Sequence, residues 1–285
     1  MHELLLYGQV PESRHEQLLK ILAGVAAMQP RHVVERHLVY KPQREPEEPG
    51  AHLRRGGTQN VGVKFKQVGQ KDLYFTQLVQ RLSVEDFNKS ETNQPGLVIA
   101  DGESAPESKW TFEFQDVPQP VNENHGVLDR MTHSTEVLSG NVHEYMAQIG
   151  NQFVSEYYQD GHLFVHDNIV LLLHRVLAEP APATTQSTPK ERLPSFDSLK
   201  PLDSQGTYVL EAKIRLHDRD RKGANEKDAK GTDVMSKGVE ELRRFKNQMK
   251  GCVDLTTPDR LLLDTRVKYK PKTLAQPARP GQVVR

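Results

Sequence analysis

Residues 151–177 read NQFVSEYYQDGHLFVHDNIVLLLHRVL: aromatic, β-branched and leucine residues interrupted at Asp160-Gly161 and Asp167-Asn168. Both dipeptides suit a two-residue hairpin turn, so strands are predicted on either side of each. Strands joined by so short a turn must run antiparallel, because a parallel neighbour needs a crossover of a dozen residues or more. A parallel α/β architecture is therefore excluded. The stretch Ile169–Leu177 also carries more leucine than a strand with one wet face requires. Both of its faces must be covered, by a helix of this chain or by another chain.

The rest of the chain fits around that commitment. ELLLYGQV (3–10) reads as a buried strand, and Pro11 then opens a helix, where its missing N–H costs nothing. Leu18, Ile21, Leu22, Val25 and Met28 form one apolar stripe along that helix, and Pro30 ends it. Further strands are predicted at RHVVERHLVYK (31–41), GVKFKQV (62–68), DLYFTQLVQRL (72–82), KWTFEFQDV (109–117), GVLDRMTHSTEVLSG (126–140), YVLEAKIRL (208–216) and RLLLDTRVKYK (260–270). A second helix carries Val239, Leu242, Phe245 and Met249 on one face, a pattern of core contact. Two helices against about nine strands point to a mainly β fold, a single antiparallel barrel or sandwich with the helices packed on it. The domain is expected to span 1–271, with flexible loops at about 42–60, 83–108, 179–206 and 217–234 and a disordered tail at 272–285. These segments are rich in Pro, Ser, Thr and charge.

Composition narrows the chemistry. The chain is 36% hydrophobic with a mean hydropathy of −0.66. The longest apolar run, Ile169–Leu173, falls far short of a membrane span, so a soluble, intracellular protein is expected. Charge sums to zero, yet residues 211–285 hold 19 Lys and Arg against 11 Asp and Glu, a surplus of eight. That basic end suits an acidic partner surface rather than general nucleic-acid binding. A single cysteine, Cys252, excludes a disulfide framework and any multi-thiolate metal site. No nucleophile elbow, phosphate-binding loop or dinucleotide fingerprint is present.

Three patterns could still carry chemistry. In YVLEAKIRL, Glu211, Lys213 and Arg215 share one side of a two-residue alternation, and Asp264, Arg266 and Lys268 alternate in the same way. These are the bases of a polyphosphate tunnel, but a metal-dependent hydrolase would also need two carboxylates at i and i+2 on one strand. The only Glu-x-Glu, Glu45-Pro46-Glu47, lies in a loop, so a triphosphate-tunnel hydrolase is the disfavoured alternative. The six residues are instead expected to face the barrel interior as a structural charge network. His162 and His166 could face one side of a strand, but two histidines do not make a metal site. Basic residues at 54–55, 64, 66 and 71 resemble a solvated loop more than a nucleic-acid surface. No catalytic, cofactor or metal residue is assigned.

The order of segments is more specific than any of these. MHELLLYGQVPESRHEQLLKILAGVAAMQP leads to a strand ending in VYKP. FVSEYYQDGHLFVHDNIVLLLHRVL follows, then a late YVLEAKIRL and LDTRVK. Over nearly the whole chain this closely resembles the Mediator subunit 18 family of the head module of the RNA polymerase II Mediator coactivator. The resemblance implies a multi-stranded antiparallel barrel of triphosphate-tunnel-like architecture with flanking helices. It also implies no enzymatic activity, no cofactor and a nuclear location. The partners it implies are Mediator subunit 20 as a heterodimer, a helix from the C-terminal part of subunit 8, other head subunits and RNA polymerase II. It assigns no interface residues and does not extend to the loops at 42–60 and 179–206.

Overall fold

A computed structural model describes residues 1–44, 72–89, 110–120, 126–137, 141–180, 188–190, 192–217 and 230–268. The elements are β1 (His2–Val10), α1 (His15–Ala26), β2 (Arg31–Pro42), β3 (Thr76–Leu82), α2 (Val84–Lys89), β4 (Trp110–Gln115) and β5 (Leu128–Val137). They continue with α3 (Val142–Gln148), β6 (Asn151–His166), β7 (Ile169–Ala178), β8 (Lys200–Pro201), β9 (Tyr208–Leu216) and α4 (Lys230–Gln248).

The strands pair in the order β6-β2-β3-β4-β5-β1-β9-β7, every pair antiparallel, and β6 also pairs with β7. That last pairing closes an eight-stranded barrel, and the two-residue β8 is a short addition on β7. Closure removes the open edges that an antiparallel sheet would otherwise expose.

The barrel carries a charged network inside and its main apolar clusters outside. Along β1, Leu4 and Leu6 turn outward while Glu3 and Tyr7 turn inward, so nearly the whole strand is buried. The outward leucines meet Ala212 and Ile214 of β9 and the stripe Val239, Leu242, Phe245 and Met249 of α4 and its C-terminal turn. Leu18 and Leu22 of α1 join the same cluster, each almost inaccessible to solvent. Fully burying one such side chain contributes about 2 kcal/mol, so this cluster dominates the fold. α1 ends at Ala27 in the left-handed conformation, φ 50°, where Met28 N–H returns to the Ala23 carbonyl.

Two further clusters cover the remaining outer face. Val142 and Met146 of α3 pack on Leu38, Tyr40, Leu78 and Trp110. Val34, Phe87, Tyr158 and Leu177 receive Leu193, Phe196 and Leu199. The interval expected as a loop at 179–206 thus contains a packed strap. Apolar residues at 193, 196 and 199 supply the burial that its Pro-rich beginning lacks.

Several local expectations change. Asp160-Gly161 does not turn the chain: β6 runs through it for 16 residues, and only Asp167-Asn168 makes a hairpin. Gly161 is required for packing instead. A Cβ there would lie 2.6 Å from the Cβ of His174 and 2.6 Å from the Leu173 carbonyl. The strand expected at 260–270 is a 3-10 helix, Arg260–Leu263, followed by one bridge between Tyr74 and Arg266. Asp259 caps that helix through the Leu261 N–H and redirects the chain. α2 falls within the loop expected at 83–108, α3 lies in an interval left unassigned between two expected strands, and α4 begins at Lys230, inside the loop expected at 217–234. The strand expected at 62–68, most of the loop at 42–60 and the tail at 272–285 lie outside the described residues.

Ile169, Leu171 and Leu173 are buried against the helices, while Leu172 faces the barrel interior. The leucine-rich strand is therefore covered on both faces by this chain, and no second chain is needed to bury it.

A charge-paired tunnel as candidate functional site

A cavity of about 510 Å³ runs inside the barrel. Glu211, Lys213 and Arg215 of β9 line it, as the alternation of that strand requires, together with Arg130 of β5 and His174 of β7. Glu3 is fully buried at its wall. Its Oε2 accepts from Arg130 Nε at 2.8 Å, and its Oε1 accepts from Arg215 Nε at 2.9 Å. Lys213 Nζ donates to Glu211 Oε1 at 3.2 Å, and His174 Nε2 lies 4.0 Å from the other Glu211 oxygen. A second group sits around β2 and β3, where Arg81 donates to Glu35 and His37 Nδ1 contacts Gln77.

The electrostatics follow from these pairs. Burial would raise the Glu3 carboxyl, but the charges of Arg130, Lys213 and Arg215 outweigh it and hold it at about 2. Burial likewise opposes ionisation of Glu211, and Lys213 chiefly reverses the effect, leaving that carboxyl lowered. Burial would also raise Glu35, and His37 and Arg81 bring it down to about 2. Burial lowers His174 and favours its neutral imidazole. The carboxylates at 3, 35 and 211 are thus ionised and already engaged by protein cations.

Asp264, Arg266 and Lys268 do not enter this network. Arg266 forms a two-pronged pair with Asp264, at 2.9 and 2.8 Å, and reaches Asp72 at 3.6 Å. Arg266 hydrogen bonds bring Asp264 down to about 2. Lys268 is exposed. Because 260–263 coils instead of extending, these three residues lie on a segment joined to Leu73–Phe75, and Leu263 is the residue that lines the cavity there. The strand reading thus linked two groups that the structure keeps apart. Glu3 and Arg130 complete the network instead. Their signal in the sequence was charge within an apolar strand, Glu3 in HELLL and Arg130 beside Asp129 in VLDRM.

The histidines are dispersed in the same way. His162 lies tilted against His15 and His32 at ring separations of 5.6 and 5.2 Å, whereas His166 meets Phe245. Among the described residues no group of three or more His, Cys, Asp or Glu is arranged to hold a metal ion. Cys252 is partly buried against the main core. The basic residues at 54–55, 64, 66 and 71 lie outside the described residues.

The model of the family described as Med18 protein matches residues 2–266. The chain belongs to the Med18 family. Mediator of RNA polymerase II transcription subunit 18 of Aspergillus niger is 35% identical over 285 residues, covering 94% of this chain and all of the relative. The Aspergillus fumigatus protein of the same name is 34% identical with the same coverage. A chain of the Schizosaccharomyces pombe Mediator head module structure superposes with a TM-score of 0.58 at 18% identity, covering 94% of this chain and 100% of that one. That likeness is one of fold.

Proposed function

We propose that this Med18-family chain is a non-catalytic subunit of the head module of the RNA polymerase II Mediator coactivator. It acts in the nucleus through protein–protein contacts that regulate transcription. The observation that carries this reading is the match of 94% of this chain to the full length of Mediator subunit 18 relatives. The tunnel supports the non-catalytic part. A metal-phosphate site needs bare carboxylates, whereas Glu3 is held by Arg130 and Arg215 and Glu211 by Lys213.

In this reading the chain pairs with Mediator subunit 20, receives a helix from the C-terminal part of subunit 8 and contacts other head subunits and RNA polymerase II. These contacts use surfaces other than Ile169–Leu177, whose side chains are occupied within the chain. An affinity pull-down from nuclear extract tests the proposal. Mediator head subunits are expected in the bound fraction, and co-expression with subunits 20 and 8 is expected to raise the yield of folded chain. A soluble monomer with no affinity for either subunit would overturn it.

A further inference from the structure

The chain contains two Ser/Thr-Pro dipeptides, Thr188-Pro189 and Thr257-Pro258. Both carry the minimal pattern of a proline-directed kinase acceptor. The structure separates them. Thr257 is half-buried, and its neighbour Thr256 is pinned to β1 by two backbone hydrogen bonds, to and from Tyr7, at 2.7 and 2.9 Å. On its other side Asp259 caps the 3-10 helix. A kinase needs several residues around the acceptor in extended form, and this segment cannot supply them without breaking the bridge to β1.

Thr188 is exposed. The following proline biases it to an extended backbone. Two residues on, the chain is anchored to the barrel. The Lys190 carbonyl accepts from Arg36 Nη2 at 2.7 Å, and the Lys190 N–H donates to Glu156 Oε2 at 3.3 Å. Arg36 and Glu156 are themselves a buried pair joined at 2.8 Å. From Leu193 to Leu199 the strap is packed on Val34, Tyr158 and Leu177. The acceptor hydroxyl therefore stands just before a fixed point, outside the packed part of the strap. A phosphate added there needs no charge to enter the core. Lys190, whose ammonium lies against Glu179, and the exposed Arg192 follow two and four residues later and supply cations within reach of the dianion.

We propose that Thr188 is a phosphoacceptor for a proline-directed Ser/Thr kinase and that Thr257 in the folded chain is not. The Thr188 Oγ1 attacks the γ-phosphorus of kinase-bound ATP. The bond from that phosphorus to the β–γ bridging oxygen breaks, ADP leaves with the electron pair, and the hydroxyl proton passes to the kinase's catalytic carboxylate. The product is a surface dianion at the edge of the strap, available to an Arg-rich reader.

The test uses the purified full chain with a proline-directed kinase and ATP, mapped by mass spectrometry beside a free peptide of residues 184–194. One phosphate on Thr188 is expected in both. Thr188→Ala abolishes labelling of the full chain, Thr188→Ser retains it and Thr257→Ala leaves it unchanged. The melting curve of Thr188→Ala should match the parent, which separates lost labelling from lost folding. Label on Thr257 with Thr188 unmodified overturns the proposal. So does labelling of the peptide but not of the full chain, and so does absence of label from both.

Discussion

Glu3→Gln is the substitution that probes the tunnel most directly. It keeps the side-chain volume and removes the charge. The carboxylate is fully buried and joins two guanidinium groups, Arg130 at 2.7 Å and Arg215 at 2.9 Å. The Arg130 side chain is 7% exposed, so water cannot replace the lost partner, whereas Arg215 at 38% keeps part of its hydration. Stranding one buried cation costs about 3–5 kcal/mol. Linkage gives a second estimate. A carboxyl held at about 2 instead of its ordinary 4.5 contributes roughly 3 kcal/mol at neutral pH. Because the folded value is the lower one, that contribution is complete above pH 4.5 and disappears as pH falls toward 2. The two estimates agree at about 3 kcal/mol, a large part of a domain's total stability. Urea unfolding followed by the single tryptophan, Trp110, measures it. Glu3→Gln should lower stability by about 3 kcal/mol at pH 7 and by progressively less below pH 4. Replacing Glu3, Arg130 and Arg215 together by Leu, Met and Met should restore most of the loss, since no uncompensated charge then remains. A Glu3→Gln cost below about 1 kcal/mol would refute the picture of a buried, charge-locked wall.

Other expectations rest on separate features. Gly161→Ala should cost about 1–3 kcal/mol in thermal unfolding, because the added methyl meets the His174 Cβ and Leu173 carbonyl at 2.6 Å; an unchanged midpoint would show that β6 and β7 are less closely apposed. Leu242→Ala should cost about 2–5 kcal/mol by opening a cavity under α4, read from urea unfolding. Arg266→Ala, at a partly exposed pair with Asp264, should shift the urea midpoint far less than Arg130→Ala. Burial lowers His15, His143, His162 and His174. A base lowered in the fold lends stability above its unfolded value and loses it below, so stability should fall from pH 7 to pH 5, and His174→Gln should flatten that slope.

How much of this was legible in the sequence differs from strand to strand. The alternation in YVLEAKIRL placed Glu211, Lys213 and Arg215 on one side, because a period of two is a property of the extended backbone itself. What those residues would meet was not legible. Glu3 lies 212 residues from Arg215 and 127 from Arg130, and only the pairing of β1 with β9 and β5 brings them together. Asp160-Gly161 misled because the dipeptide that favours a turn also suits a strand where another backbone approaches closely. The choice is made by the pairing of β6 with β2 and β7. RLLLDTRVKYK has an apolar triplet that a strand or a short helix could use, and the cap at Asp259 decided between them. The outer stripes of α1 and α4 were readable because each is local to one helix.

The seam between β1 and β9 carries a consequence for how the chain comes into being. Every residue of β1 from His2 to Val10 finds its partner between Tyr208 and Leu216. A ribosome must therefore deliver some two hundred residues after β1 before that strand can be zipped on this side. Until then Leu4 and Leu6 lack the Ala212 and Ile214 that complete their cluster. Pairings between such distant parts of a chain form slowly and leave sticky intermediates. A chain truncated before Tyr208 would be an open, adhesive sheet instead of a smaller barrel. Among the described strands, β9 is the last to emerge, and it converts a sheet into a vessel.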